Sequence, residues 1–346
     1  MNKTVILFLL ALSCFASCSN DRTERCAFVP ETNDIKIDLQ WESLEDSLPA
    51  ITTKEQLKGF LTRHADIREL FLSRTDFPSD TTFINERFRK FTNPHIDTLL
   101  METHRVFGDA SKLKQEFIQA FANFKYYYPD FQPPKIKTII TGFEKDIYVS
   151  DTLVIVGLDY YLGEGAKYKI LNLYDYMRRR YHPGFIVPSV MLLYGIDSKY
   201  NKLNPEDRTM LAEMISYGKA YYFAKSMVPC TPDSVLIGYT SEEINGSRAN
   251  ESLIWSRLIE DQVLFSTSAQ DKQKFIIERP KTLEVGEKCP GRIGQWIGWR
   301  MIESYHENHS DQTLPQIMSN SDAQQMFKES GYKPTLTKVP SRQKNL

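Results

Sequence analysis

Glu213 is the residue whose setting invites chemistry. It stands in Met210-Leu211-Ala212-Glu213-Met214-Ile215-Ser216-Tyr217-Gly218-Lys219-Ala220-Tyr221-Tyr222-Phe223, where apolar residues occupy most of a helical circumference. A carboxylate in such a helix needs a compensating partner, because an isolated charge is expensive away from water. One use is as a general base. The commoner one is a structural ion pair, with Arg292, Arg300 or Lys219 as candidate cations. The histidines add little: His64, His95, His104, His182, His306 and His309 are scattered. His306 and His309 are spaced to share a metal, but a solvated helix terminus is the more common origin of such a pair. No Gly-x-Ser-x-Gly elbow and no P-loop occurs, and Gly163-Glu164-Gly165 reads only as a loop. The expectation is no metal and no cofactor.

The second chemistry is covalent. Met1-Asn2-Lys3, the apolar run Val5 to Leu12 and the small residues Ala16-Ser17 before Cys18 form a charged, apolar and small-residue series ending in a cysteine. That is the layout of a bacterial lipoprotein signal, removed at 1–17, with Cys18 lipidated as the new N-terminus. Cys18 is preferred over Cys14 because a polar stretch follows it. The run is short of the roughly 20 residues of a membrane span. The expected location is the cell envelope, anchored to the inner or outer membrane by acyl chains, with the body periplasmic or extracellular. Cys26, Cys230 and Cys289 remain. An oxidising compartment permits one bridge, and Cys230–Cys289 is the plausible pair because both lie beside prolines, although spacing alone does not fix connectivity.

The bulk numbers fit a globular chain of 346 residues, 41% hydrophobic and 25% charged, with a net charge of −1 that gives no electrostatic case for nucleic acid. Arg178-Arg179-Arg180, the one dense basic run, reads as the solvated end of a helix. Asp233-Ser234-Val235 resembles a short O-glycosylation acceptor, and a plain turn after a proline explains it as well.

These residues must be positioned by helices flanking a small sheet. Residues 18–38 read as a tether, 39–330 as one globular domain and 331–346 as a tail. Leu57, Phe60 and Leu61, then Ile67, Leu70 and Phe71, repeat at helical spacing, and Phe77-Pro78 and Asn93-Pro94 interrupt them. A long helix is expected from a Ser111 cap to Tyr128, lined by Leu113, Phe117, Phe121 and Phe124. Ile136–Ile140, Ile147–Val149 and Leu153–Val156 are short and β-branched, and predict a small, largely antiparallel sheet across 135–158. The Glu213 helix is expected to open at Asn204-Pro205-Glu206-Asp207. The fold class is α+β, mostly helical, with the sheet between two helical regions. In the last helix Gly294 and Gly298 lie four apart, each costing about 1 kcal/mol relative to alanine. Such a pair implies the close approach of another backbone or of a ligand, helix packing being the more ordinary cause.

Leu158-Asp159-Tyr160-Tyr161-Leu162-Gly163, Ile215 through Phe223, and Arg292-Ile293-Gly294-Gln295-Trp296-Ile297-Gly298-Trp299 occur in that order. With the lipoprotein start, they resemble the GldB-type gliding-motility lipoproteins of Bacteroidetes over roughly 35 to 330. The resemblance implies an envelope lipoprotein serving the gliding and secretion apparatus, without established enzymatic activity. The same family is remotely similar to zincin-type zinc peptidases, whose H-E-x-x-H helix follows a small sheet. The matching stretch here is Ala212-Glu213-Met214-Ile215-Ser216: the glutamate stands and both histidines are missing. A downstream acid such as Glu251 does not replace them. The resemblance therefore implies a peptidase-like scaffold without zinc.

The combined expectation is a lipid-anchored, non-enzymatic component that binds protein partners in the envelope, with a hydrolase using Glu213 as the alternative. The contact surface is expected in a groove between the 158–163 segment (Asp159, Tyr160, Gly163), the central helix (Glu213, Tyr217, Gly218, Lys219) and the last long helix (Arg292, Gly294, Trp296, Gly298). An extended peptide would lie against the small sheet there. A glycan binder using exposed aromatics ranks third, since no specific sugar-binding pattern is present.

Overall fold

The structure is a computed structural model and describes residues 26–171 and 173–334. The expected signal segment 1–17, the expected lipid site Cys18 and the last twelve residues lie outside the described residues. Residues 26–38 carry neither helix nor strand but are fastened to the body. Cys26 is bridged to Cys230, Ala27 N donates to Pro229 O at 3.0 Å, and Thr32 accepts from Gln119. Cys289 is the free, buried thiol. The expected Cys230–Cys289 pair is therefore corrected: residues 26–32 lie along the body and place Cys26 against Cys230.

The first half holds β1 (Trp41–Ser43), α1 (Lys54–Arg63), α2 (Asp80–Phe91), α3 (Ile96–Phe107) and α4 (Ser111–Tyr127). Thr53 and Gln56 form a capping box that opens α1. Ile67–Phe71 is a single π turn that leaves Leu70 exposed. Ser111 does not cap α4: the cap position is Ala110, in the left-handed region, and Ser111 N donates to Asp109 Oδ1. Phe117, Phe121 and Phe124 are buried as their spacing predicts. Phe124 stacks on Phe131 at 3.8 Å and meets Tyr194, Tyr200 and Phe223 edge-on. Pairs of this kind add about 0.5–1.5 kcal/mol each beyond burial.

The sheet contains β2 (Lys135–Ile139), β3 (Ile147–Val149) and β4 (Leu153–Gly157), in the order β1-β2-β4-β3. It is mixed rather than largely antiparallel: β1–β2 and β2–β4 are parallel, and β3–β4 alone is antiparallel. The short strand β1 extends it, and its polar Glu42 and Ser43 gave no strand pattern. Alternation along the strands sends Ile136, Val154 and Val156 into the main core and Ile139 and Ile155 into a second core beneath α1 and α2. Both faces are covered, as parallel strands require. On the second face buried Lys137 reaches Asp66 at 2.7 Å and Glu42 at 3.3 Å.

The second half holds α5 (Asp175–Arg178), α6 (Ile186–Ile196), α7 (Met210–Met227), α8 (Asp233–Ile237), α9 (Ser241–Ala249), α10 (Glu251–Glu260), α11 (Ala269–Phe275), α12 (Ile293–Asn308), α13 (Leu314–Ser319) and α14 (Ala323–Ser330). The cap of α7 is Thr209, whose hydroxyl accepts from Ala212 N, rather than Asn204. Asp207 accepts from Thr209 and braces that cap. Arg179 and Arg180 are not a solvated helix end: they pair with Glu243 at 2.5 Å and Glu278 at 2.7 Å.

α7 is the hub, gripped between α6 and α12. Glycines set the spacing. A Cβ on Gly195 would lie 2.6 Å from Ala220 O, one on Gly218 2.2 Å from Gly298 O, and one on Gly298 1.8 Å from Met214 O. The close approach implied by Gly298 is met by another backbone. Among the described residues no helix is long and apolar enough to cross a membrane.

Candidate functional site

The expected groove residues fall into three separate settings. Asp159, Tyr160 and Gly163 fasten loops. Asp159 is fully buried and its Oδ2 accepts from Phe143 N at 2.6 Å and Thr141 N at 3.3 Å, while Oδ1 has no hydrogen-bond partner. Burial pushes its carboxyl up to about 6, against the backbone N–H groups that favour the charge. Tyr160 donates to Phe143 O at 2.9 Å, and Gly163 N donates to Tyr181 O. The clasp holds Phe143 at φ 61°, a conformation that costs energy for a bulky residue.

Gly218, Gly294, Trp296 and Gly298 belong to helix packing. Gly294 lies against Ile276 and Phe275 O, and Trp296 is buried. Arg292, in the left-handed region at φ 60°, precedes α12 and donates to Ile237 O at 2.6 Å and Tyr221 Oη at 3.3 Å. Glu278 lies 3.4 Å from its Nε. Lys219 is buried without a carboxylate. Its Nζ donates to Lys202 O at 2.7 Å, Asn320 O at 2.8 Å and Met318 O at 3.3 Å. Burial pushes this ammonium down to about 7.

Glu213 and Tyr217 are the partly open members. Glu213 pairs with Lys272 at 2.5 Å, not with Arg292, Arg300 or Lys219, and its side chain keeps 36% exposure. Burial raises the Tyr217 hydroxyl, helped by Glu213 and opposed by Arg292. Ala212 and Ser216 flank the glutamate where a zinc peptidase carries histidines. Among the described residues no group of three or more His, Cys, Asp or Glu is placed to hold a metal. A cleft of about 340 Å³ runs past Glu213, Ser216, Lys272 and Asn320.

A far larger groove, of about 2190 Å³, opens at the other end of α7. Tyr222 and Lys225 face it from α7, and Glu303 and His306 from α12. Each pair is three residues apart and so shares one helical face. The glycine crossing brings the two faces together. Tyr222 and His306 share a 2.7 Å hydrogen bond between Oη and Nδ1. Lys225 donates to Thr231 O at 2.7 Å and pairs with Asp233 at 2.9 Å, and Arg248 also pairs with Asp233. Glu303 pairs with Arg300, which reaches Glu251 at 3.2 Å. Burial pushes the Glu303 carboxyl up to about 7; Arg300 opposes this and the charge of Asp233 adds to it. His309 turns its Nδ1 to Tyr305 O and stacks on the Tyr305 ring rather than joining His306. Phe28 and Tyr126 form the rim next to the Cys26–Cys230 bridge.

Only the paired spacing of Tyr222 with Lys225 and of Glu303 with His306 signals this groove in the sequence, since the two faces lie on helices far apart in the chain.

A family model described as gliding motility protein GldB matches residues 25–334. The chain belongs to the GldB gliding-motility family. That span includes every described residue, so the GldB-type region comprises sheet, hub and groove together. The family places the chain among gliding-motility lipoproteins of the cell envelope. No curated protein and no solved structure matches it.

Proposed function

We propose that this GldB-type protein is a lipid-anchored envelope component that works by binding rather than by catalysis. Its lipid would sit on Cys18 and its working face would be the groove between α7, α9 and α12. The Cys26–Cys230 bridge carries this reading. It fastens the chain eight residues past Cys18 to the groove rim, since Ala27 and Phe28 just after Cys26 and Pro232 and Asp233 just after Cys230 line the groove. Eight extended residues span at most about 29 Å, so a lipid on Cys18 would keep the groove close to a bilayer. Such a component would hold part of the gliding and secretion assembly against another element of the envelope. The arrangement around Glu213 favours no hydrolase: its carboxylate is engaged by Lys272, and the helix positions beside it are Ala212 and Ser216.

The test is in-cell crosslinking over the whole surface, followed by pull-down of the native protein and of Cys18→Ala. Reproducible capture of envelope-assembly proteins by the anchored form alone supports the reading. Equal capture by both forms, or capture of bulk lipoproteins only, overturns it.

A further inference from the structure

The lining of the groove specifies what it holds. That lining is mixed: the charged groups Lys225, Asp233, Arg248, Glu303 and Asp311 stand among apolar Ala27, Ile244, Ala249, Leu314 and Pro315, and Lys225 and Arg248 both meet Asp233. Because charges of both signs line it, the groove offers no strong field of one sign to a phosphate-rich or strongly charged ligand. Its rim is aromatic. Phe28 is 67% exposed and Tyr126 43%, with ring centroids 6.5 Å apart, and Tyr127 lies edge-on to Tyr126 at 5.0 Å. Large exposed rings gathered at the mouth of a groove mark a contact surface.

Two kinds of peptide occupant fit poorly. Strand addition needs a free sheet edge, and every lining residue comes from a helix or a loop. An amphipathic helix needs a continuous apolar stripe to lie on, and here Lys225, Asp233, Arg248, Glu303 and Asp311 interrupt the apolar lining. The volume also exceeds the roughly 300–1000 Å³ of an ordinary small-molecule pocket, which points to a segment of polymer.

We propose that the groove binds a neutral glycan chain, stacking sugar rings on Phe28 and Tyr126 and hydrogen-bonding their hydroxyls through Glu303, His306 and Asn245. A pyranose ring has a C–H-rich face that packs flat on an aromatic ring and an edge of hydroxyls that both donate and accept. Tyr222 and His306 offer a hydroxyl and an imidazole already ordered by their mutual bond, and Asn245 adds an amide with both donors and an acceptor. Glu303, paired with Arg300, adds carboxylate oxygens that can accept from sugar hydroxyls. The inference rests on the groove being the working face proposed above, and names the chemistry of what that face holds.

The experiment is isothermal titration of the full mature chain with four neutral tetrasaccharides: chitotetraose, cellotetraose, laminaritetraose and mannotetraose. Saturable binding of at least one is expected. Phe28→Ala and Tyr126→Ala should each weaken it about three- to ten-fold, with unchanged melting temperatures because both rings are exposed. No saturable binding of any tetrasaccharide overturns the proposal. So does binding that both rim variants leave untouched. If the tetrasaccharides fail while crosslinking from Tyr126 in cells captures a protein, the groove stands as the working face and the glycan occupant falls.

Discussion

Gly218 and Gly298 face each other where α7 and α12 cross, so closely that a Cβ on Gly218 would lie 2.2 Å from the Gly298 carbonyl oxygen. The two helices touch backbone to backbone, and every side chain further along them is aimed by that contact. Tyr222 and His306 meet at the groove because each lies on the C-terminal side of the crossing, four and eight residues beyond these glycines.

Alanine at either glycine should force the helices apart. Gly298→Ala, with its Cβ 1.8 Å from Met214 O, is expected to cost about 3 kcal/mol or more, and Gly218→Ala a similar amount. Denaturant unfolding measures both. A loss below 1 kcal/mol in each would contradict the close crossing.

The bridge is checked by peptide mapping without reduction, which should recover Cys26 joined to Cys230 and leave Cys289 to be alkylated only after unfolding. Cys230→Ser should lower stability by about 2–4 kcal/mol. Cys289 linked to either other cysteine would refute the assignment.

Lys219→Met leaves three carbonyls, those of Lys202, Met318 and Asn320, without their shared donor. A loss of about 2–3 kcal/mol is expected, together with faster amide exchange around residues 318–320, which Lys219 ties to α7. Unchanged exchange there would show that the ammonium does not hold this segment.

Asp159 gives a pH signature. Its folded carboxyl lies at about 6, above the ordinary 3.8, so the folded state keeps a proton that the unfolded chain releases between those values. The stability from this group is full below about pH 4 and is lost as pH rises through 6. Against Asp159→Asn, the wild type should therefore gain on the order of 2 kcal/mol between pH 7 and pH 4. A difference that stays constant across that range would rule out the raised carboxyl.

Glu213→Gln breaks a partly exposed pair with Lys272 and should change stability by no more than about 1 kcal/mol. Gliding or envelope function in cells carrying this variant should match the wild type. Complete loss of function with the fold intact would revive the hydrolase.

Whatever depends on local period was legible in the order of the residues. Apolar spacing marked α4, α7 and α12, and short β-branched runs marked β2, β3 and β4, because burial of one face repeats every few residues along a single element. Gly298 inside a helix likewise announced that something would come close. The approaching atom, Met214 O, was beyond such reading. Tertiary structure alone decided that Glu213 meets Lys272 59 residues away, that Cys26 meets Cys230 across 204 residues, and that Tyr222 meets His306 across 84. It also decided that the expected cleft residues divide among a loop clasp, a helix crossing and the partly open cleft at Glu213 and Tyr217. Partners so distant are chosen by how whole helices cross, and that angle is set by many contacts together, none of them visible in the spacing of any one segment.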